Sequence, residues 1–131
     1  LVVIWRDQST GYATLSTALH TQELSLTRKR MNVIIDLCVV PLGVGVSVSP
    51  HIAACQRVIQ EAGLEHRMHA YGTNIEGPWD EVMAVVKRCH EVVHEMGAPR
   101  ITTTLKLGTR IDRDQHMDDK VASVETLMER P

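Results

Sequence analysis

Tyr71-Gly72-Thr73-Asn74-Ile75-Glu76-Gly77-Pro78-Trp79 is the stretch on which the fold turns. Two glycines five residues apart bracket a strand-length piece, and Pro78 stands where a helix begins, because proline's fixed φ and missing N–H fit a first helical turn. A bend, a short strand and a helix start are therefore written in succession. Thr73, Asn74 and Glu76 bring hydroxyl, amide and carboxylate groups near two aromatic rings, Tyr71 and Trp79, a set suited to a flat, nitrogen-rich ligand. The plain structural reading is a polar hairpin corner with a helix-start tryptophan packed into the core.

Upstream of this stretch, His66 to Tyr71 alternates Met68 and Ala70 with Arg67, His69 and Tyr71, the pattern of a half-buried strand that pairs with the one after Gly72. Downstream, Trp79, Val82, Met83, Val86, Cys89, Val93 and Met96 form a continuous helical stripe from Pro78 to Met96, and Gly97 ends it. Val33 to Val40 is β-branched on both faces apart from Asp36 and is bounded by Pro41 and Gly43. A loop holding Gly43, Gly45, Ser47 and Ser49 follows, and Pro50 opens a helix carrying Ile52, Cys55 and Ile59, with Ser49 placed to cap it. Ile101 to Leu107 alternates as a fourth strand, closed by Gly108, and Met117, Val121, Val124 and Met128 mark a last helix. The order predicts an α+β, ferredoxin-like βαββαβ fold with a four-stranded antiparallel sheet and an added C-terminal helix. The sheet face away from the two main helices should then carry Asp36, Arg67, His69, Tyr71, Thr102, Thr104 and Lys106, a mixed surface suited to a second copy.

Composition bounds the rest. The 131 residues are 44% hydrophobic and 23% charged, ordinary for one soluble globular domain, and Phe is absent, so the core is aliphatic. No run reaches the roughly 18 apolar residues of a membrane span. Residues 31–131 carry 10 Lys+Arg against 14 Asp+Glu, a balance of −4 that disfavours nucleic acid as a partner. Cys38, Cys55 and Cys89 are odd in number without CxxC spacing, which reads as buried free thiols in a reducing compartment, the cytoplasm. Residues 1–30 are rich in Ser and Thr, lack a sustained period and end in Arg28-Lys29-Arg30. They read as a disordered N-terminal extension, with a transit peptide as the rival, and residues 31–131 as the domain.

His90-Glu91-Val92-Val93-His94 matches the H-E-x-x-H zinc motif, in which two histidines one turn apart hold the metal and the glutamate is general base. Arg100 stands where a third histidine would follow, and arginine offers no lone pair to a metal, so a zinc hydrolase would need a ligand such as His116. The plain reading leaves these histidines on the flanks of a buried stripe.

Four segments together resemble the YkoF-like thiamine-binding family: Val40-Pro41-Leu42-Gly43 with Ser47-Val48-Ser49, Gly72 to Gly77, Thr103-Thr104-Leu105-Lys106 with Arg110 and Asp112, and Asp119-Lys120-Val121. The similarity runs from Met31 to about Arg130. It implies a ferredoxin-like domain that assembles into dimers or tetramers and binds thiamine or its aminopyrimidine portion without chemical conversion or cofactor. On that reading Glu76 and Thr73 address the polar edge of the ring, Tyr71 or Trp79 stacks on it, and Ser47 and Ser49 are further contacts. An acidic domain also suits the cationic thiazolium. The alternative from another class is an interaction protein whose hairpin serves assembly alone.

Overall fold

The computed structural model describes residues 31–130, and the expectations for residues 1–30 lie outside them. In chain order the elements are β1 (Asn32–Leu42), α1 (Ser49–Glu61), β2 (Glu65–His69), β3 (Gly72–Pro78), α2 (Trp79–Glu95), β4 (Arg100–Thr109) and α3 (Met117–Met128). The strands form one antiparallel sheet in the order β2-β3-β1-β4, which is the expected ferredoxin-like arrangement with a C-terminal helix added. Among the described residues no helix is long and apolar enough to cross a membrane.

Period-two alternation sorts every strand into two faces. In β1 the odd residues Val33, Ile35, Leu37 and Val39 are buried and meet Cys55 and Ile59 of α1 and Val82, Val86, Cys89 and Val93 of α2. Both main helices therefore cover the odd face. Aliphatic side chains of this size stabilise by about 1.5–3 kcal/mol each when fully buried, and they supply the whole core. Gly63 (φ +68°) and Gly97 (φ +97°) end α1 and α2 in the left-handed conformation that side-chain-bearing residues rarely adopt. All three cysteines are free, and Cys55 and Cys89 face each other where the helices cross, each Sγ 3.9 Å from the other's carbonyl oxygen. Hydrogen bonding with the Cys55 thiol, and burial after it, push the Cys89 thiol far up.

The even residues of β1, Ile34, Asp36 and Cys38, look the other way. Register places Asn74 and Lys106 beside Asp36, Glu76 and Gly108 beside Ile34, and Thr104 beside Cys38 on that second face. It is the polar, mixed surface foreseen for Asp36, Arg67, His69, Thr102, Thr104 and Lys106. Tyr71 is the exception, because it lies in the two-residue turn between β2 and β3. Helix α3 runs over part of this second face and buries none of its own residues. Two local expectations are corrected. Ser49 is the first residue of α1, not its cap, and Val48 in the cap position makes no side-chain bond. Strand β4 also runs through Gly108 to Thr109.

Candidate functional site

Thr73 and Glu76 are three residues apart in a strand, and an odd spacing puts them on opposite faces. Thr73 pairs with Leu37 and points under the helices, only 3% exposed. Its hydroxyl accepts a hydrogen bond from Gln56 Nε2 of α1 at 2.7 Å. The joint use of Thr73 and Glu76 on one ligand edge is therefore corrected: the sheet stands between them.

The Thr73 side opens into a cavity of about 220 Å³ between α1, β1 and the β2–β3 turn. Its walls are mainly Val39, Val48, Ile52, Ile59 and Met68, with Gln56, His69, Tyr71 and Thr73 as the polar members. No carboxylate, lysine or arginine lines it. Tyr71 is 86% exposed and stands at the mouth. His69 borders the mouth from β2, but its imidazole is turned to the second face, with Nε2 2.7 Å from Asp36 Oδ1, while its Nδ1 accepts the Tyr71 amide at 3.2 Å. Gln56 and the Gln56–Thr73 pair were not foreseen. Gln56 sits on the α1 stripe one residue after Cys55, and only the register of Thr73 with Leu37 shows that it meets a strand hydroxyl.

Glu76 serves elsewhere. Its carboxylate is nearly buried, with Oε2 accepting the Met117 amide at 2.6 Å and Oε1 2.8 Å from His116 Nδ1. It caps the first turn of α3, where a negative charge meets the positive end of the helix dipole. This also offsets a like-charge neighbour, since Glu65 lies directly opposite on β2. The bond to Glu76 raises the His116 imidazole above its ordinary value, with Asp119 and Asp114 adding to the effect. Arg67 bonds Asp118 at 2.6 Å, a second, exposed tie to α3.

Trp79 packs half-buried against the core, and its amide bonds the Met31 carbonyl at 2.9 Å, so it is not brought to the cavity. Ser47 and Ser49 are exposed on either side of Val48, which lines the wall. Each histidine of the zinc motif has its own protein partner. His90 Nε2 lies 2.7 Å from the Thr103 hydroxyl, and His94 Nδ1 2.7 Å from the Ala98 carbonyl. His116 is bound to Glu76 on the other sheet face, so it cannot complete a site on α2. Among the described residues no three His, Cys, Asp or Glu side chains are grouped to hold a metal.

The thiamine-binding protein family model matches residues 35–125. This chain belongs to that family. A UPF0045 protein of Synechocystis is 70% identical over 101 residues, covering 77% of this chain and 84% of its own. A UPF0045 protein of Eremothecium gossypii is 45% identical over 97 residues, 73% and 92% of the two chains. The crystal structure of a hypothetical protein from Methanocaldococcus jannaschii superposes with TM-score 0.68 at 28% identity, over 72% of this chain and 96% of that one. Like the resemblance read from the sequence, the family match lies after residue 30.

Proposed function

We propose that this domain binds thiamine or a related aminopyrimidine without converting it, and takes the pyrimidine ring into the cavity between α1 and the β2–β3 turn. The observation that carries the reading is the Gln56–Thr73 pair on the wall of an otherwise apolar pocket, in a chain of the thiamine-binding family. Thr73 Oγ1 receives the Gln56 amide proton, so the hydroxyl proton and the amide oxygen are left to turn toward a ligand. One donor beside one acceptor matches a ring nitrogen beside an amino group. The match survives a flip of the amide, which exchanges the two roles.

Size and charge refine this. About 220 Å³ is below the roughly 300–1,000 Å³ of pockets that hold drug-sized ligands, so a single ring fits and the remainder stays outside. A cation taken into a wall without carboxylates would be costly to desolvate. The thiazolium therefore rests at the mouth, where the Tyr71 ring offers a cation–π face. Ser47 and Ser49 flank Val48 of the wall and are further contacts on this reading, while Glu76 and Trp79 act through α3 and the core. Self-association to a dimer or tetramer belongs to this reading. The uncovered part of the second sheet face and the exposed Val121, Val124 and Leu127 of α3 support it. A cytoplasmic setting agrees with three free thiols.

Calorimetry with thiamine and with the free aminopyrimidine tests the site. Saturable binding is expected in the parent, at least tenfold weaker in Thr73→Val and in Gln56→Leu, a loss of about 1.4 kcal/mol or more. Absence of heat with every vitamer, or full affinity in both variants, refutes the proposal. In that case a protein that only assembles is the better account.

A further inference from the structure

The second sheet face holds a group of cations that the thiamine reading leaves unused. Two troughs, of about 410 and 330 Å³, share Ile34, Gly108 and Lys120 in their lining. Ile34 and Gly108 are direct cross-strand partners, and a Cβ built on Gly108 meets nothing within 4 Å. The shared floor is therefore one apolar side chain beside a bare strand backbone. Around it stand Arg113 at the end of the β4–α3 loop, Lys120 on α3 and Lys106 on β4.

These three differ from the other cations near the troughs. Arg110 is held by both carboxylate oxygens of Asp112, at 2.5 and 2.7 Å, and by Gln115 at 3.2 Å. Arg67 is paired with Asp118. Arg113, Lys106 and Lys120 make no ion pair among the described residues. Facing them are Asp114, which lines the first trough, and Asp36, which is engaged by His69. In a domain of net charge −4, three unpaired cations converging on one recess form a local inversion of the surface potential. Such a recess attracts a small anion, while the surrounding negative field repels an extended polyanion.

We propose that this recess binds the phosphoryl group of a small metabolite, a mono- or diphosphate, as a second ligand site. Lys120 lines both troughs, with Arg113 on the first and Lys106 on the second. Arginine takes two phosphate oxygens with its fork and lysine acts as a point charge. The site is separate from the apolar cavity. Its two troughs run along Asn32 to Asp36 of β1 on the opposite sheet face, whereas the cavity is lined by Leu37 to Val40. The sheet itself stands between the two. One thiamine phosphate therefore does not bridge the two, and the recess takes its own ligand.

Calorimetry on the whole protein with inorganic phosphate, diphosphate and glycerol phosphate, at ionic strength held constant with sodium chloride, tests this. Saturable binding of at least one of the three is expected. The Arg113→Gln/Lys120→Gln variant should weaken it at least tenfold, and Gly108→Glu, which sets a carboxylate in the floor without backbone strain, should abolish it. Thr73→Val should leave it unchanged, which separates this site from the cavity. Binding of glycerol phosphate as tight as inorganic phosphate assigns the recess to an ester, and preference for the free ions assigns it to phosphate or diphosphate. No saturable heat above the chloride control, or equal affinity in the variants, overturns the proposal. So does loss of an oligomer in Arg113→Gln/Lys120→Gln with no anion effect in the parent, because a second copy's carboxylates then fill the recess.

Discussion

Glu76→Ala separates the two tasks that a carboxylate in this hairpin might perform. In the structure it removes the acceptor for the Met117 amide and for His116, both in the first turn of α3. Loss of a capping carboxylate costs about 0.5–2 kcal/mol. The His116 pair adds only weakly to this, since that side chain is 66% exposed and solvent screens it. Relief of the Glu65 contact returns a few tenths, which leaves about 1–2 kcal/mol. Because α3 buries no residue, this penalty falls on helix docking and not on the core. Hydrogen exchange should show protection of the α3 amides reduced about five- to thirtyfold, the equivalent of that free energy. The denaturation midpoint of the sheet should move by less than about 0.5 kcal/mol, as for a surface substitution. Thiamine affinity should stay within about twofold. A tenfold loss of affinity with α3 protection intact would refute the assignment of Glu76 to the helix and return it to the ligand.

Three further outcomes are expected. His116 has a raised folded-state value, so its contribution to α3 docking is fully present below its unfolded value of about 6.5 and is lost as pH rises through the raised one. Proton NMR should give a His116 midpoint above 6.5 that falls back in Glu76→Ala, and an unchanged midpoint would show the tie to be absent. Gly72→Ala places a Cβ 2.6 Å from the Leu37 carbonyl oxygen, so the β1–β3 ladder must part. A destabilisation of about 1–3 kcal/mol by urea titration is expected, and a neutral result would contradict the close approach. Ile35→Ala empties the centre of the core, where Ile35 is 1% exposed, and should cost about 2–5 kcal/mol in the same assay.

The fold was legible because its signals are local. Alternation in β1 and β4 and the stripe of α2 are each read within a dozen residues, as is the β2–β3 hairpin, although its turn falls on Ala70–Tyr71 and Gly72 already belongs to β3. The site was legible only in part. Thr73 and Tyr71 border the cavity, whereas Glu76, three residues from Thr73 in the same strand, is on the opposite face. Gln56 meets Thr73 across 17 residues and His116 meets Glu76 across 40, contacts that depend on helix placement and leave no periodic trace. The H-E-x-x-H match shows the converse: a motif fits locally, yet His90 and His94 are satisfied by Thr103 and Ala98.

Strand β1 is central, yet one of its two strand partners comes late in the chain. Its outer neighbour β4 begins at Arg100, 58 residues after Leu42. At a translation rate of about 5–20 residues per second, Val33 to Val39 emerge roughly 3–12 s before that side of the sheet closes. For that interval one edge of an apolar strand lies unpaired on the nascent chain, a template open to strands of other chains until β4 is made.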